Sequence, residues 1–207
     1  NNSAADTFSG NLGGTGVNNN ALALVKAGAG TLTLTGDDTY TGGTTLAGGR
    51  LNLGSADALS AEGDITFAGG TLQYSAANTT DYSSQFVGSA SPVSIDTNGQ
   101  NVTFATALAY ASSLVKSGGG TLTLSADNTY VGATTVNGGT LAVANSSLGG
   151  TAITVNSGGT FSAVGNVTIG ASGSPTLTIA SGGILSTVDG TINTLTINSA
   201  TPGATVL

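Results

Sequence analysis

Apolar and polar residues alternate along this chain in short runs, and the runs come in pairs. The stretches "TTLAGGRLNL", "ITFAGGTLQY", "TTVNGGTLAV", "ITVNSGGTFSA" and "LTIASGGILST" share one plan: an alternating run, a small residue or two, glycine, and a second alternating run. Alternation with period two marks a strand with one buried face. Taking the last glycine before each second run, Gly30, Gly49, Gly70, Gly99, Gly120, Gly139, Gly159 and Gly183 follow at steps of 19, 21, 29, 21, 19, 20 and 24 residues. Paired short strands recurring near this spacing predict a solenoid, in which each coil buries its apolar face only against its neighbours. Successive coils then stack in parallel about 4.8 Å apart. Leu32, Leu34, Leu122 and Leu124 point inward, and Thr33 and Thr123 outward.

A hairpin sandwich is the rival architecture. Asn137-Gly138 between alternating runs is a strong hairpin signal, and evenly spaced hairpins build sandwiches and barrels. The same slot elsewhere holds Ala47-Gly48, Ala68-Gly69, Ser157-Gly158 and Ser181-Gly182. A two-residue type I′ turn needs positive φ at both central positions, which Ala and Ser resist. A corner within one coil tolerates this variety, so the pattern favours the solenoid.

A longer period overlies the short one. Residues 24–53, "LVKAGAGTLTLTGDDTYTGGTTLAGGRLNL", return as residues 114–143, "LVKSGGGTLTLSADNTYVGATTVNGGTLAV", with 18 of the 30 positions identical. The repeated positions include Leu32, Leu34, Tyr40, Gly48 and Gly49, which meet Leu122, Leu124, Tyr130, Gly138 and Gly139. Two of the three cationic residues, Lys26 and Lys116, also coincide. The glycine steps of 19, 21, 29 and 21 residues between the copies add to their 90-residue offset, so the second copy is expected to be the first translated by four coils.

Composition narrows the class further. Only 6% of residues are charged and 34 are glycine, whereas surface helices rely on Glu, Lys and Arg. The apolar content is far above that of disordered chains. A net charge of −7 with three cations argues against nucleic acid, whose phosphates need clustered Lys and Arg, and against an anionic membrane surface. With no His and no Cys, the usual zinc, haem and iron–sulfur ligand sets are missing, as are Ser-His and Cys-His nucleophile pairs. No cofactor is expected. No apolar run approaches a spanning helix, and the start at Asn1 has no signal-peptide pattern, so the chain reads as an internal or processed piece.

The repeated residues, above all Asp127-Asn128-Thr129-Tyr130 and "TTVNGGTL", resemble the autotransporter-associated β-strand repeat of Gram-negative type V secretion passengers. The first copy departs in carrying Asp38 where the family usually has Asn. The resemblance implies a right-handed single-stranded parallel β-helix, here of about eight to nine coils over residues 1–207, secreted or held at the cell surface. It also implies a C-terminal β-barrel translocator in the full-length protein. The repeat brings no catalytic residues with it.

Few residues invite chemistry. Asp37, Asp38 and Asp127 before Thr-Tyr read as turn starters rather than calcium ligands, because calcium wants 6–8 oxygens. Asp57, Glu62 and Asp64 read as a solvated loop, and Arg50 as the only Arg leaves a glycan lyase without its tools. Tyr40 and Tyr130 read as corner residues, and Lys26 and Lys116 as charges at a coil edge that discourage sideways strand addition. The 29-residue step carries a polar excursion over about residues 75–92, where Tyr82 and Phe86 either contact a ligand or tuck onto the helix side. The expected function is a non-enzymatic stalk of an adhesin-like passenger that aids export and display. The alternative is a direct adhesin that binds host or carbohydrate ligands through the excursion or the outward Thr and Asn rows; a glycan-processing enzyme is the weakest reading. Solenoid ends near Thr15 to Val25 and Leu195 to Leu207 offer open edges for self-association.

Overall fold

The computed structural model describes residues 4–14, 21–88, 90–109, 112–149, 152–170, 175–187 and 195–197. It is all-β apart from one 3-10 turn at Ser83–Gln85. Among the described residues every pairing between strands is parallel, so the hairpin sandwich is excluded and the chain winds as a β-solenoid. Thr134–Val136 and Gly139–Ala144, the runs flanking Asn137-Gly138, lie in different sheets.

The longest sheet has nine rungs: Asp6–Phe8, Thr31–Leu34, Arg50–Leu53, Thr71–Gln73, Val93–Asp96, Leu114–Ser117, Thr134–Val136, Ala152–Val155 and Thr176–Ile179. A second sheet stacks Val102–Phe104, Thr121–Leu124, Gly139–Ala144, Gly159–Val164 and Ile184–Ser186. Two three-stranded sheets complete the faces: Leu24–Lys26, Thr44–Leu46 and Ile65–Phe67, and Ser147–Leu148, Val167–Ile169 and Leu195–Ile197. Over the described residues the winding amounts to about seven turns rather than eight to nine. Most of the two expected open ends lies outside those residues.

The core is a set of stacked inward columns. Leu34, Leu51, Leu72, Ile95, Leu122, Leu141 and Phe161 are fully buried, as alternation requires. Leu32 is the exception: it is only half-buried, because its rung partner is Asp6 on the exposed first strand. Thr33 and Thr123 face outward but are half-covered by the rungs on either side.

The second copy is not a pure translation of the first. Thr31–Leu34 belongs to the nine-stranded sheet, yet its sequence equivalent Thr121–Leu124 belongs to the second sheet, and the nine-stranded sheet takes in Leu114–Ser117 instead. Along that sheet Leu32 aligns with Leu51, Leu72, Ile95 and then Lys116. Four rungs therefore use the 84 residues from 32 to 116, six fewer than the repeat offset. The surplus turns the second copy about the solenoid axis by one face. It enters at the long step, where residues 75–92 supply more chain than one coil of the nine-stranded sheet consumes.

Candidate functional site

The excursion is part of the solenoid wall. Phe86 makes a parallel bridge to Ile65 and so adds a further rung position to the sheet that contains Ile65–Phe67. Its ring stands edge-on between Phe67, with centroids 5.2 Å apart, and Phe104, at 5.4 Å. Tyr82 is 3% exposed, and its hydroxyl accepts a hydrogen bond from Asn78 Nδ2 at 3.0 Å. Asn78 Nδ2 also donates to the carbonyls of Ser55 and Ala56, both at 2.9 Å. Asp81 caps Ser83 N and receives Ala105 N at 2.7 Å. The excursion thus ties the coil before it to the coil after it.

Beside it runs a groove of about 750 Å³, lined among others by Asp37, Asp38, Asp57, Glu62, Asp81 and Tyr82. The sequence separates Asp37-Asp38 from Asp57 and Glu62, and the solenoid brings them together, because Asp38 N donates to the Asp57 carbonyl one coil on at 2.9 Å. Asp64, grouped with Asp57 and Glu62 by sequence, lines a smaller recess with Thr41 and Gly63 instead. Asp81 was not singled out from the sequence. The signal that points to it is the coil period, which sets a residue near 80 in the column of 38 and 57.

No basic residue lines this groove. Arg50, itself largely exposed, sits 3.6 Å from the buried carboxylate of Asp96. Both lysines are buried rather than at a coil edge. Read strictly, alternation explains the correction: Leu114 and Lys116 point inward and Val115 outward. Lys116 Nζ donates to the carbonyls of Ser117, Gly118 and Gly138 at 3.0, 2.8 and 2.9 Å. Lys26 repeats this with Ala27, Gly28 and Gly48, all at 2.9 Å. The glycine corner turns several carbonyls inward, and one ammonium with three donors satisfies them. Burial pushes Lys116 down to about 8, with Asp96 pulling the other way.

Tyr40 and Tyr130 lie between strands, with their rings turned into the core. Each is 1% exposed and shares a hydrogen bond with the threonine four positions on, Tyr40 with Thr44 at 2.6 Å and Tyr130 with Thr134 at 2.5 Å. Burial raises Tyr40 to about 12, partly offset by Thr44. At the glycine corners, Gly49 and Gly139 have φ of 60° and 61°. A Cβ on either would collide with the carbonyl oxygen of Gly30 or Gly120 in the preceding coil.

The passenger-associated transport repeat matches residues 24–53 and 114–143. The chain is also similar to a protein of Brucella suis biovar 1 (strain 1330) named Adhesin BmaC autotransporter, at 38% identity over 149 residues. That alignment covers 64% of this chain and 4% of the relative. No solved structure matches the chain.

Proposed function

We propose that this chain, a repeat-bearing segment of an autotransporter passenger exposed at or released from the Gram-negative cell surface, serves as a non-enzymatic stalk. The observation that carries this reading is the nine-rung sheet, which continues from Thr71–Gln73 to Val93–Asp96 past the excursion. A backbone ladder of that kind, with its apolar columns sealed inside, is stiff along its axis and spans about 38 Å at the usual rung spacing. Coils that pair only with their neighbours can also form one after another as the chain emerges from a membrane. We propose a C-terminal β-barrel translocator as the export partner in the whole protein.

A second reading rests on the acidic groove: a binding module whose ligand is cationic. The two are separated by presenting the purified segment and its Asp37→Asn, Asp57→Asn, Glu62→Gln variant to host cells and to a basic peptide. A stalk resists a nonspecific protease until it is denatured, binds neither target, and is indifferent to the substitutions. Saturable binding that the triple variant loses favours the second reading. Rapid digestion of the native segment refutes the first.

A further inference from the structure

The two repeats differ at one buried turn position, and the difference is chemical. In the second copy Asn128 joins three successive coils. Its Oδ1 accepts from Leu108 N at 3.0 Å, its backbone N–H donates to the Ser147 carbonyl at 2.9 Å, and its Nδ2 donates to the Ala126 carbonyl at 2.5 Å and more distantly to Ser147. Asp38 takes the same place in the first copy. Its Oδ1 accepts from Leu12 N at 2.7 Å, and its backbone N–H donates to the Asp57 carbonyl at 2.9 Å. Asp57 presents its carbonyl to Asp38 as Ser147 does to Asn128, and Gly36, the sequence equivalent of Ala126, has a carbonyl that accepts from Ser55 Oγ at 2.8 Å and has a second lone pair to offer. Where Asn128 has an amide donor, Asp38 has Oδ2, which is buried and has no hydrogen-bond partner. A carboxylate oxygen held in place of an amide donor turns one lone pair against another.

We propose that Asp38 is a proton-operated latch: Oδ2 carries a proton in the folded solenoid and donates it to the Gly36 carbonyl, so the first repeat's turn is firm in acid and loosens as the proton is lost. The surroundings favour the neutral form. Asp37 adjoins it, and Asp57, Glu62 and Asp81 line the same groove; Tyr40 and Tyr82 are the other titratable neighbours. The preceding coil contributes Leu12 and Asn11, neither of which titrates. Burial, and after it the charge of Asp37, raise the Asp38 carboxyl above its ordinary value, against the Leu12 N–H bond. For an acid with a raised folded-state value, the folded chain holds a proton that the unfolded chain has released. Stability is then full below the unfolded value and declines as pH rises through the folded one.

Melting temperatures measured from about pH 4 to about pH 8 test this for the parent, Asp38→Asn and Asn128→Asp. Asp38→Asn is expected to melt higher than the parent at neutral pH, to match it in acid, and to lose part of the parent's decline. Asn128→Asp is expected to steepen that decline, and folding of this variant in acid alone also supports the latch. An infrared carbonyl band of a protonated acid should persist in the folded parent to higher pH than in the unfolded chain, and that persistence should be lost in Asp38→Asn. An Asp38→Asn variant that melts lower at neutral pH, or keeps the parent's full pH slope, overturns the proposal, because Oδ2 would then act as an anion.

Discussion

Leu32 and Lys116 stand on one column of the nine-stranded sheet, four rungs apart, while Leu122, which repeats Leu32 in the sequence, lies in a different sheet. Equivalent residues of the two copies therefore meet different neighbours. Leu32 lies on Asp6, whereas Leu122 lies on Val102.

Sheet continuity past the excursion is open to a direct check. Thr71 and Ser94 are paired across adjacent rungs, and the chain contains no cysteine. In parallel rungs such a pair lies within disulfide reach. The Thr71→Cys/Ser94→Cys double variant should cross-link under mild oxidation while folded, as read by mobility on a nonreducing gel. Free thiols that pair only after denaturation would show that the excursion is looped out of the ladder.

The core columns make unequal demands. Leu34→Ala and Leu122→Ala truncate fully buried side chains and should cost about 2–5 kcal/mol each in urea unfolding. Leu32→Ala, at a half-buried end rung, should cost markedly less than Leu122→Ala. Thr33→Ala should be close to neutral. Equal losses for Thr33 and Leu34 would mean that the register is wrong.

The paired glycines of each corner are not interchangeable. Gly49→Ala and Gly139→Ala place a Cβ in the left-handed region and against a carbonyl of the coil before, and should destabilise by more than about 1 kcal/mol. Gly48 and Gly138 have room, the nearest atoms to an added Cβ being 3.4 and 3.6 Å away. Alanine there should be nearly neutral, as judged by melting temperature.

Lys116→Met keeps the buried stem and removes the donor of three carbonyls, which should cost about 1–3 kcal/mol. The parent carries a second signature. Its folded-state value of about 8 lies below the ordinary 10.5, so between these the unfolded chain binds a proton that the folded chain does not, and stability rises with pH. The buried tyrosines act oppositely above their ordinary 10.0: the unfolded chain releases protons that Tyr40 and Tyr130 retain. Stability should therefore peak between about pH 8 and about pH 10, and Lys116→Met should flatten the rising limb in denaturant titrations. An unchanged limb would place the titrating group elsewhere.

The period-two runs and the recurring glycines were enough to set the parallel solenoid and the inward leucines. Those features depend on side-chain alternation and local backbone freedom, and each coil repeats them. Lys26 and Lys116 were read as edge charges, by the habit of putting cations on the surface, although strict alternation carries them inward, where the structure buries them. What justified that burial was a ring of carbonyls contributed by two coils, which no local reading supplies. The rotation between the copies, the wedging of Phe86 and the gathering of Asp37, Asp38, Asp57, Glu62 and Asp81 were decided only in three dimensions. Each depends on how many residues a coil consumes before it closes. That number is fixed by the rung beneath, so the extra residues of the excursion became rotation and wall, and the sequence marked only that the step was long.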